Sequence, residues 1–252
     1  MRQVVLITGA SSGVGAAAAD RFVRRGAKVI LVARSESKLE AVANKIGFGA
    51  IPCPCDAADP VAVDALKAHV LEEHGVPDVI VNSAGAGAWK TVQDTRPDEA
   101  MAMMQAPYFA AFNISHAFLP GMLARGNGVL IHVNSPACMA AWPKSAGYTA
   151  ARAALLGLHR ALLQDLVGTG VDSCHAIFGE INTPYFETNG VGQDDLPGLG
   201  KIVPTLTAED CGLTLADLAM TPRPNTVRPW LLRPMLGLSA LMPGLTAALL
   251  RF

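Results

Sequence analysis

The sequence predicts an α/β fold: a doubly wound, mostly parallel sheet of about seven strands with helices on both faces. Three observations predict it. Short Val- and Ile-rich runs alternate with longer helical stretches along most of the 252 residues, as strands buried on both faces require. A glycine-rich turn follows the first of these runs. No linker or internal repeat breaks the alternation, so residues 1–252 read as one domain.

The elements follow in order. Val4–Thr8 reads as the first strand and Ala16–Arg25 as a helix stopped by Gly26. Lys28–Ala33 is a strand, Glu36–Ile46 a helix and Ala50–Cys55 a strand. Asp59 is placed to cap a helix with Pro60 at its first position, running to about His74. Val79–Asn82 is a strand, and a long helical region from Pro97 to about Ala124 is interrupted by Pro107. Gly128–Asn134 is a strand, Gly147–Val167 a helix and Val171–Ile177 a strand. Residues 183–205, rich in Gly, Pro and Asp, read as a substrate loop or lid. Ala208–Ala219 is a helix, and Thr226–Leu232 a last strand that Pro229 consigns to a sheet edge.

Composition excludes several function classes. The formal net charge is −1 with no block of like charge, so the basic stripe of a nucleic-acid binder is missing. Five cysteines at scattered spacings (Cys53, Cys55, Cys138, Cys174, Cys211) fit a reducing cytoplasm better than a disulfide framework. Cys53 and Cys55 share a strand face as small core residues, and no metal site is expected. The apolar run Val4–Ile7 is shorter than the roughly 7–15 residues of a signal h-region. The tail, 234–252, is uncharged from Pro234 to Leu250 but broken by Pro234, Gly237, Pro243 and Gly244. It falls short of the ~20 residues that span a bilayer and reads as one or two short helices. Its stripe of Leu238, Leu241, Met242, Leu245 and Leu249 is expected to be core or subunit interface before membrane anchor.

The first strand runs into Thr8-Gly9-Ala10-Ser11-Ser12-Gly13-Val14-Gly15, and a helix opens there. Gly9 permits the tight turn, and Gly13 and Gly15 permit close approach of backbone to a pyrophosphate. The helix N-terminus adds free N–H groups. This reads as the dinucleotide-binding turn of a three-layer Rossmann fold, in the strand–turn–helix context the motif needs, with an ordinary tight βα turn as the alternative. The second strand ends without a carboxylate for a ribose 2′-hydroxyl. It offers Arg34, which suits a 2′-phosphate but also fits a solvated helix start. Asp56 after the third strand is either an acceptor for an adenine amino group or a turn residue.

The fifth strand ends at Asn134-Ser135, and Tyr148 lies thirteen residues on at a helix start, one turn before Arg152. A hydroxyl, a phenol and a cation thus gather at the crevice of an open sheet. In these motifs the chain resembles the classical short-chain dehydrogenase/reductase family over nearly its whole length. Thr8-Gly9-x-x-x-Gly13-x-Gly15 is similar to the family's cofactor motif, and Asn82-Ser83-Ala84-Gly85 to its Asn-Asn-Ala-Gly element. Ser135 and Tyr148 stand at the family's catalytic spacing. Phe178-Gly179 stands in place of Pro-Gly, and Thr183 where a threonine contacts the nicotinamide amide.

The resemblance implies an oxidoreductase that binds NADP(H) in preference to NAD(H), carries a carbonyl/alcohol substrate and assembles as a homodimer or homotetramer. It implies catalysis by Ser135, Tyr148 and Arg152. Gly9, Ser11, Ser12, Gly13, Val14, Gly15, Arg34, Asp56, Asn82, Ala84, Gly85, Tyr148, Arg152, Gly179 and Thr183 would hold the cofactor.

Two positions depart from the family. Its Tyr-x-x-x-Lys is Tyr148-Thr149-Ala150-Ala151-Arg152 here. Arginine keeps the positive charge but spreads it over a planar fork of longer reach. The relay asparagine of the family falls near Pro107, and Asn113, six residues on, is out of phase with it. A prolyl ring there cannot donate to the Met103 carbonyl, which leaves that oxygen for a relay water. These departures define the alternative function, a catalytically silent relative that holds NADP(H) as sensor or scaffold.

Among other residues, His132 reads as a core histidine, and His116 and His159 lack partners at metal spacing. Trp89, Met139, Trp142, Tyr185 and Phe186 form either an apolar substrate pocket or packing under loops.

Overall fold

The computed structural model describes residues 3–183 and 203–250. In chain order the elements are β1 (Val4–Thr8), α1 (Gly13–Arg24), β2 (Lys28–Ala33), α2 (Glu36–Ile46), β3 (Ala50–Pro54), α3 (Pro60–His74) and β4 (Val79–Asn82). There follow α4 (Pro97–Met104), α5 (Ala110–Arg125), β5 (Gly128–Asn134), α6 (Ala146–Asp165), β6 (Val171–Phe178) and β7 (Ile181–Asn182). The chain ends in β8 (Leu206–Thr207), α7 (Ala208–Met220), β9 (Asn225–Arg228), α8 (Leu232–Leu241) and α9 (Pro243–Leu249).

Seven strands form one parallel sheet in the order β3-β2-β1-β4-β5-β6-β9. Two apolar clusters cover its faces. One gathers Val5, Ile7, Val29 and Leu31 with Phe22 and Leu215; the other gathers Leu6, Ile30 and Ile80 with Val70, Ile114 and Phe118. Adjacent strand residues thus go to opposite faces, the period-two pleat that a sheet buried on both sides demands. The strand order reverses between β1 and β4, so the chain diverges there and opens a crevice at the carboxyl ends of the strands.

Local chemistry sets several boundaries. The Asp59 side chain accepts from the Val61 N–H at 2.9 Å, with Pro60 at the first helical position. Gly126, in the left-handed region, closes α5. Between α4 and α5 the chain makes a π-helical turn, Gln105–Phe109. Ala106 leaves helical geometry there (φ −135°, ψ 115°), because a following proline disfavours the α region.

The last strand is shorter than the sequence suggests. It runs Asn225–Arg228 rather than Thr226–Leu232, at the sheet edge beside β6. Pro229 has no N–H to extend the ladder, and Leu232 opens α8 instead. The pair β7–β8 has two residues per strand and carries no period to read. It brings together the two ends of the 183–205 segment, most of which lies outside the described residues.

Candidate active site

The crevice is a cavity of about 990 Å³ above the carboxyl ends of the central strands. Its floor at one end is the β1–α1 turn. Gly9 has φ +66°, and a Cβ there would lie 2.9 Å from the Ala84 backbone. A Cβ on Gly15 would collide with the Gly9 carbonyl. The Thr8 hydroxyl accepts from the Ser83 and Ala84 N–H groups, each at 3.1 Å, binding this turn to the end of β4. Contacts within the protein therefore demand glycine at both positions, and the turn they close lines the cavity.

Of the positions proposed for the cofactor, Gly9, Ser11, Ser12, Gly13, Val14, Gly15, Arg34, Asp56, Ala84, Gly85, Tyr148, Arg152, Gly179 and Thr183 line this cavity. Asn82 does not. Its buried amide nitrogen lies 3.4 Å from the Ser115 hydroxyl and 3.3 Å from His132 Nδ1, fastening β4 to α5 and β5. Thr183 sits against Gly13, so the start of the 183–205 segment touches the glycine turn. Asp56 holds a turn by accepting from the Ala58 N–H at 3.0 Å and also lines the cavity. Arg34 is exposed at its rim with Ser35 and Lys38.

At the other end stand Ser135, Tyr148 and Arg152. Tyr148 and Arg152 lie one turn apart on α6, and both are buried. The Arg152 guanidinium carbon is 4.9 Å from the Tyr148 ring centroid, within cation–π range. Trp89 stacks on Tyr148 at 4.7 Å between centroids, and Trp142 lies 6.0 Å away. The chain builds this aromatic wall deliberately. Lys90 forms a backbone bridge to Ser145 and an ion pair with Glu99 at 2.8 Å, which holds the Trp89 loop over the start of α6. The Ser145 hydroxyl donates to the Trp142 carbonyl at 2.6 Å.

Below the site lies a polar network in the core. The Asn134 amide donates to the Arg152 carbonyl at 3.0 Å and to His175 Nε2 at 2.9 Å, and its carbonyl accepts from the Ser135 N–H at 2.9 Å. His175 stacks on His159 at 5.1 Å, and His159 lies 6.1 Å from His132. Burial pushes the three imidazoles down, to about 3 for His132, about 4 for His159 and about 3 for His175, and a neighbouring imidazole adds to this for His132 and His175. All three are therefore neutral at pH 7. Among the described residues no group of three or more His, Cys, Asp or Glu side chains is arranged to hold a metal ion.

Other expectations resolve variously. Trp89 and Trp142 line the cavity; Met139 packs instead with Cys138, Leu156, Ile177 and Leu236. Tyr185 and Phe186 lie outside the described residues. Asn113 is turned away from the site, donating to the Ala57 and Ala58 carbonyls at 3.2 and 3.1 Å. The kink at Pro107 hands the Ala106 carbonyl to the Ala86 N–H at 3.1 Å, so that oxygen steadies the β4–α4 loop. The tail stripe is not core: Leu241, Met242, Leu245 and Leu249 are exposed.

Sequence reasoning missed Lys38, one turn after Arg34 and readable as a second cation. It missed the wall made by Leu232, Met235, Leu236 and Leu250, of which the last three fall in the uncharged run from Pro234 to Leu250. It also missed Asn134 and His175, whose pairing across β5 and β6 leaves no trace in local spacing.

Comparison with known proteins places this arrangement. The short chain dehydrogenase family model matches residues 3–193. An uncharacterized oxidoreductase of Mycobacterium tuberculosis is 32% identical over 88% of this chain, which spans only 65% of that protein's length. A fatty acyl-CoA reductase of the same organism is 34% identical, over 77% of this chain and 68% of that protein. A metagenomic short-chain oxidoreductase solved in complex with NADP is 29% identical, with a TM-score of 0.76 over 89% of this chain and 96% of that one. A matching family model over most of the chain, on a sheet with this order and this cavity, has one meaning: the chain belongs to the short-chain dehydrogenase family.

Proposed function

We propose that this chain is an NADP(H)-dependent oxidoreductase that interconverts a carbonyl and an alcohol on a lipophilic substrate. One observation carries the reading: the glycine turn, the Arg34–Lys38 rim and the Ser135–Tyr148–Arg152 group line one cavity. The residues fit the dinucleotide. Gly9 and Gly15 let the turn close against the Ala84 backbone and the Gly9 carbonyl, so that the turn lines the cavity, and the cations Arg34 and Lys38 at the rim suit a 2′-phosphate. When bound, the nicotinamide supplies or accepts the hydride.

The chain's own groups handle the oxygen and its proton. Ser135 hydrogen-bonds the substrate oxygen, and Tyr148 gives it a proton in reduction and takes one in oxidation. Arg152 keeps a fixed positive charge over the Tyr148 ring and would hold the nicotinamide ribose. Trp89 and Trp142 exclude water, and the leucines of α8 and α9 supply an apolar wall. A relative named for fatty acyl-CoA reduction fits such a wall. The protein is expected in the cytoplasm as a homo-oligomer, with the exposed Met101 on α4, Phe109 in the π-helical turn and Phe112 on α5 as an interface.

The test is NADPH oxidation against a panel of medium- and long-chain aldehydes and ketones. Tyr148→Phe should bind NADPH like the parent and lose turnover about a thousandfold. A variant that keeps most of its turnover sinks the assignment. Arg152 in the lysine position and Pro107 in the asparagine position favour a second reading, a silent NADP(H)-binding relative. Intact NADPH binding with no turnover across the panel would select it.

A further inference from the structure

Helices α8 and α9 divide their apolar residues between two surfaces. Leu236, Leu238 and Leu250 face the cavity. Leu241, Met242 and Leu245 are 84%, 52% and 45% exposed. Leu249 does both, lining the cavity while 46% exposed. Trp230, just ahead of α8, is 64% exposed. Five large apolar side chains so exposed within residues 230–249 mark an interaction surface.

The charge distribution is equally uneven. Residues 218–252 contain four arginines and no Asp, Glu or Lys, whereas residues 1–217 carry a net charge of −5. Arg228 and Arg233, beside Trp230, are exposed.

We propose that this face docks peripherally on an anionic lipid bilayer. Leu241, Met242 and Leu245 enter the headgroup–acyl boundary, Trp230 sits at headgroup level, and Arg228 and Arg233 meet lipid phosphates. Docking without spanning is the geometry available, because no helix among the described residues is long and apolar enough to cross a membrane. The charge pattern selects lipid over a second copy of the tail. Two tails packed about a twofold axis would bring arginines together with no carboxylate in either tail to pair them. Leu249 also joins the docked face to the cavity, so a lipophilic substrate could pass from the bilayer to Tyr148 without crossing water. That route rests on the proposed function; the docking does not.

The experiment sediments the full chain with vesicles of phosphatidylcholine alone or mixed with phosphatidylglycerol, at low and high salt. The chain should pellet with the anionic vesicles at low salt and several-fold less with the neutral ones. Arg233→Gln should weaken binding about fivefold, the factor corresponding to ~1 kcal/mol per basic residue at an anionic surface. Leu241→Asp/Leu245→Asp changes two exposed positions outside the cavity lining. It should lower the bound fraction tenfold or more and leave NADPH binding unchanged. A parent that stays in the supernatant with both vesicles overturns the proposal, as does a double variant that pellets like the parent. Sedimentation velocity supplies the other contrary result: an oligomeric parent and a monomeric double variant would make this face a subunit interface. No arm reads turnover, so failure here is distinct from failure of the oxidoreductase assignment.

Discussion

The side-chain amide of Asn134 donates to the main-chain carbonyl of Arg152 at 3.0 Å. This bond ties the strand that delivers Ser135 to the helix that presents Tyr148. The same amide donates to His175, and its carbonyl accepts from the Ser135 N–H. One buried side chain thus sets the distance between the two halves of the reacting end, and a third element, β6, holds it in place.

Asn134→Ala should therefore damage both folding and turnover. It deletes three hydrogen bonds, to the Arg152 carbonyl, to His175 and from the Ser135 N–H, at a cost of roughly 0.5–1.5 kcal/mol for each. Urea unfolding should show the loss of stability. At temperatures where the variant is folded, kcat should fall on the order of tenfold or more with NADPH affinity little changed, since the glycine turn is remote. Unchanged kcat would mean that Ser135 and α6 are positioned without it.

The three buried imidazoles predict acid sensitivity. Their folded values, about 3 to about 4, lie below the ordinary value of 6.5. The unfolded chain takes up protons near pH 6.5 while the folded chain refuses them. Stability is complete above that pH and falls as the pH drops toward 4. Each histidine contributes a slope of about 1.4 kcal/mol per pH unit, so three approach ~4 kcal/mol per unit between pH 6 and 4. Urea midpoints measured across that range should drop steeply. His159→Gln should remove about one proton from the slope, and an unchanged slope would show that His159 is already protonated in the folded protein.

Much of this was legible in the sequence because it depends on local chemistry. The glycine turn, the Asp59–Pro60 cap and the Val/Ile runs each dictate their own geometry, and they gave β1 to β6 within a few residues. The departures arise where distant residues decide. The sequence pattern puts Pro229 in an edge strand, but β9 stops before it and α8 takes over. The tail periodicity gave a helix without saying which side is covered, and it lines a cavity on one side and is bare on the other. The Asn134–His175 and Trp89–Tyr148 contacts join residues 41 and 59 positions apart, brought together only by the sheet order and the Lys90–Ser145 bridge.

Arg34 and Lys38 at the rim predict the nucleotide preference. Arg34→Ala should weaken NADPH on the order of tenfold or more, the loss of a charge-assisted contact to phosphate, and leave NADH nearly unchanged. Titration of both nucleotides by fluorescence checks this. Equal losses for the two, or a parent that binds NADH more tightly, would show that no 2′-phosphate site exists there.

Gly85 and Arg152 should behave as one unit. A Cβ on Gly85 would stand 2.7 Å from Arg152 Nη2, closer than van der Waals contact allows, and the guanidinium is the part that can yield. Gly85→Ala should therefore push the cation off the Tyr148 ring, which it now meets at 4.9 Å. The expected result is a fall in kcat on the order of tenfold with little change in stability, because the displaced group is the end of a long side chain. Lysine at 152 has no planar fork to occupy the space over Gly85. In an Arg152→Lys background, Gly85→Ala should then cost less than twofold. The double-mutant cycle reads the coupling directly as the excess of the first loss over the second, about 1 kcal/mol or more. Equal losses in the two backgrounds would falsify the coupling and place the effect of Gly85 in the cofactor cradle alone.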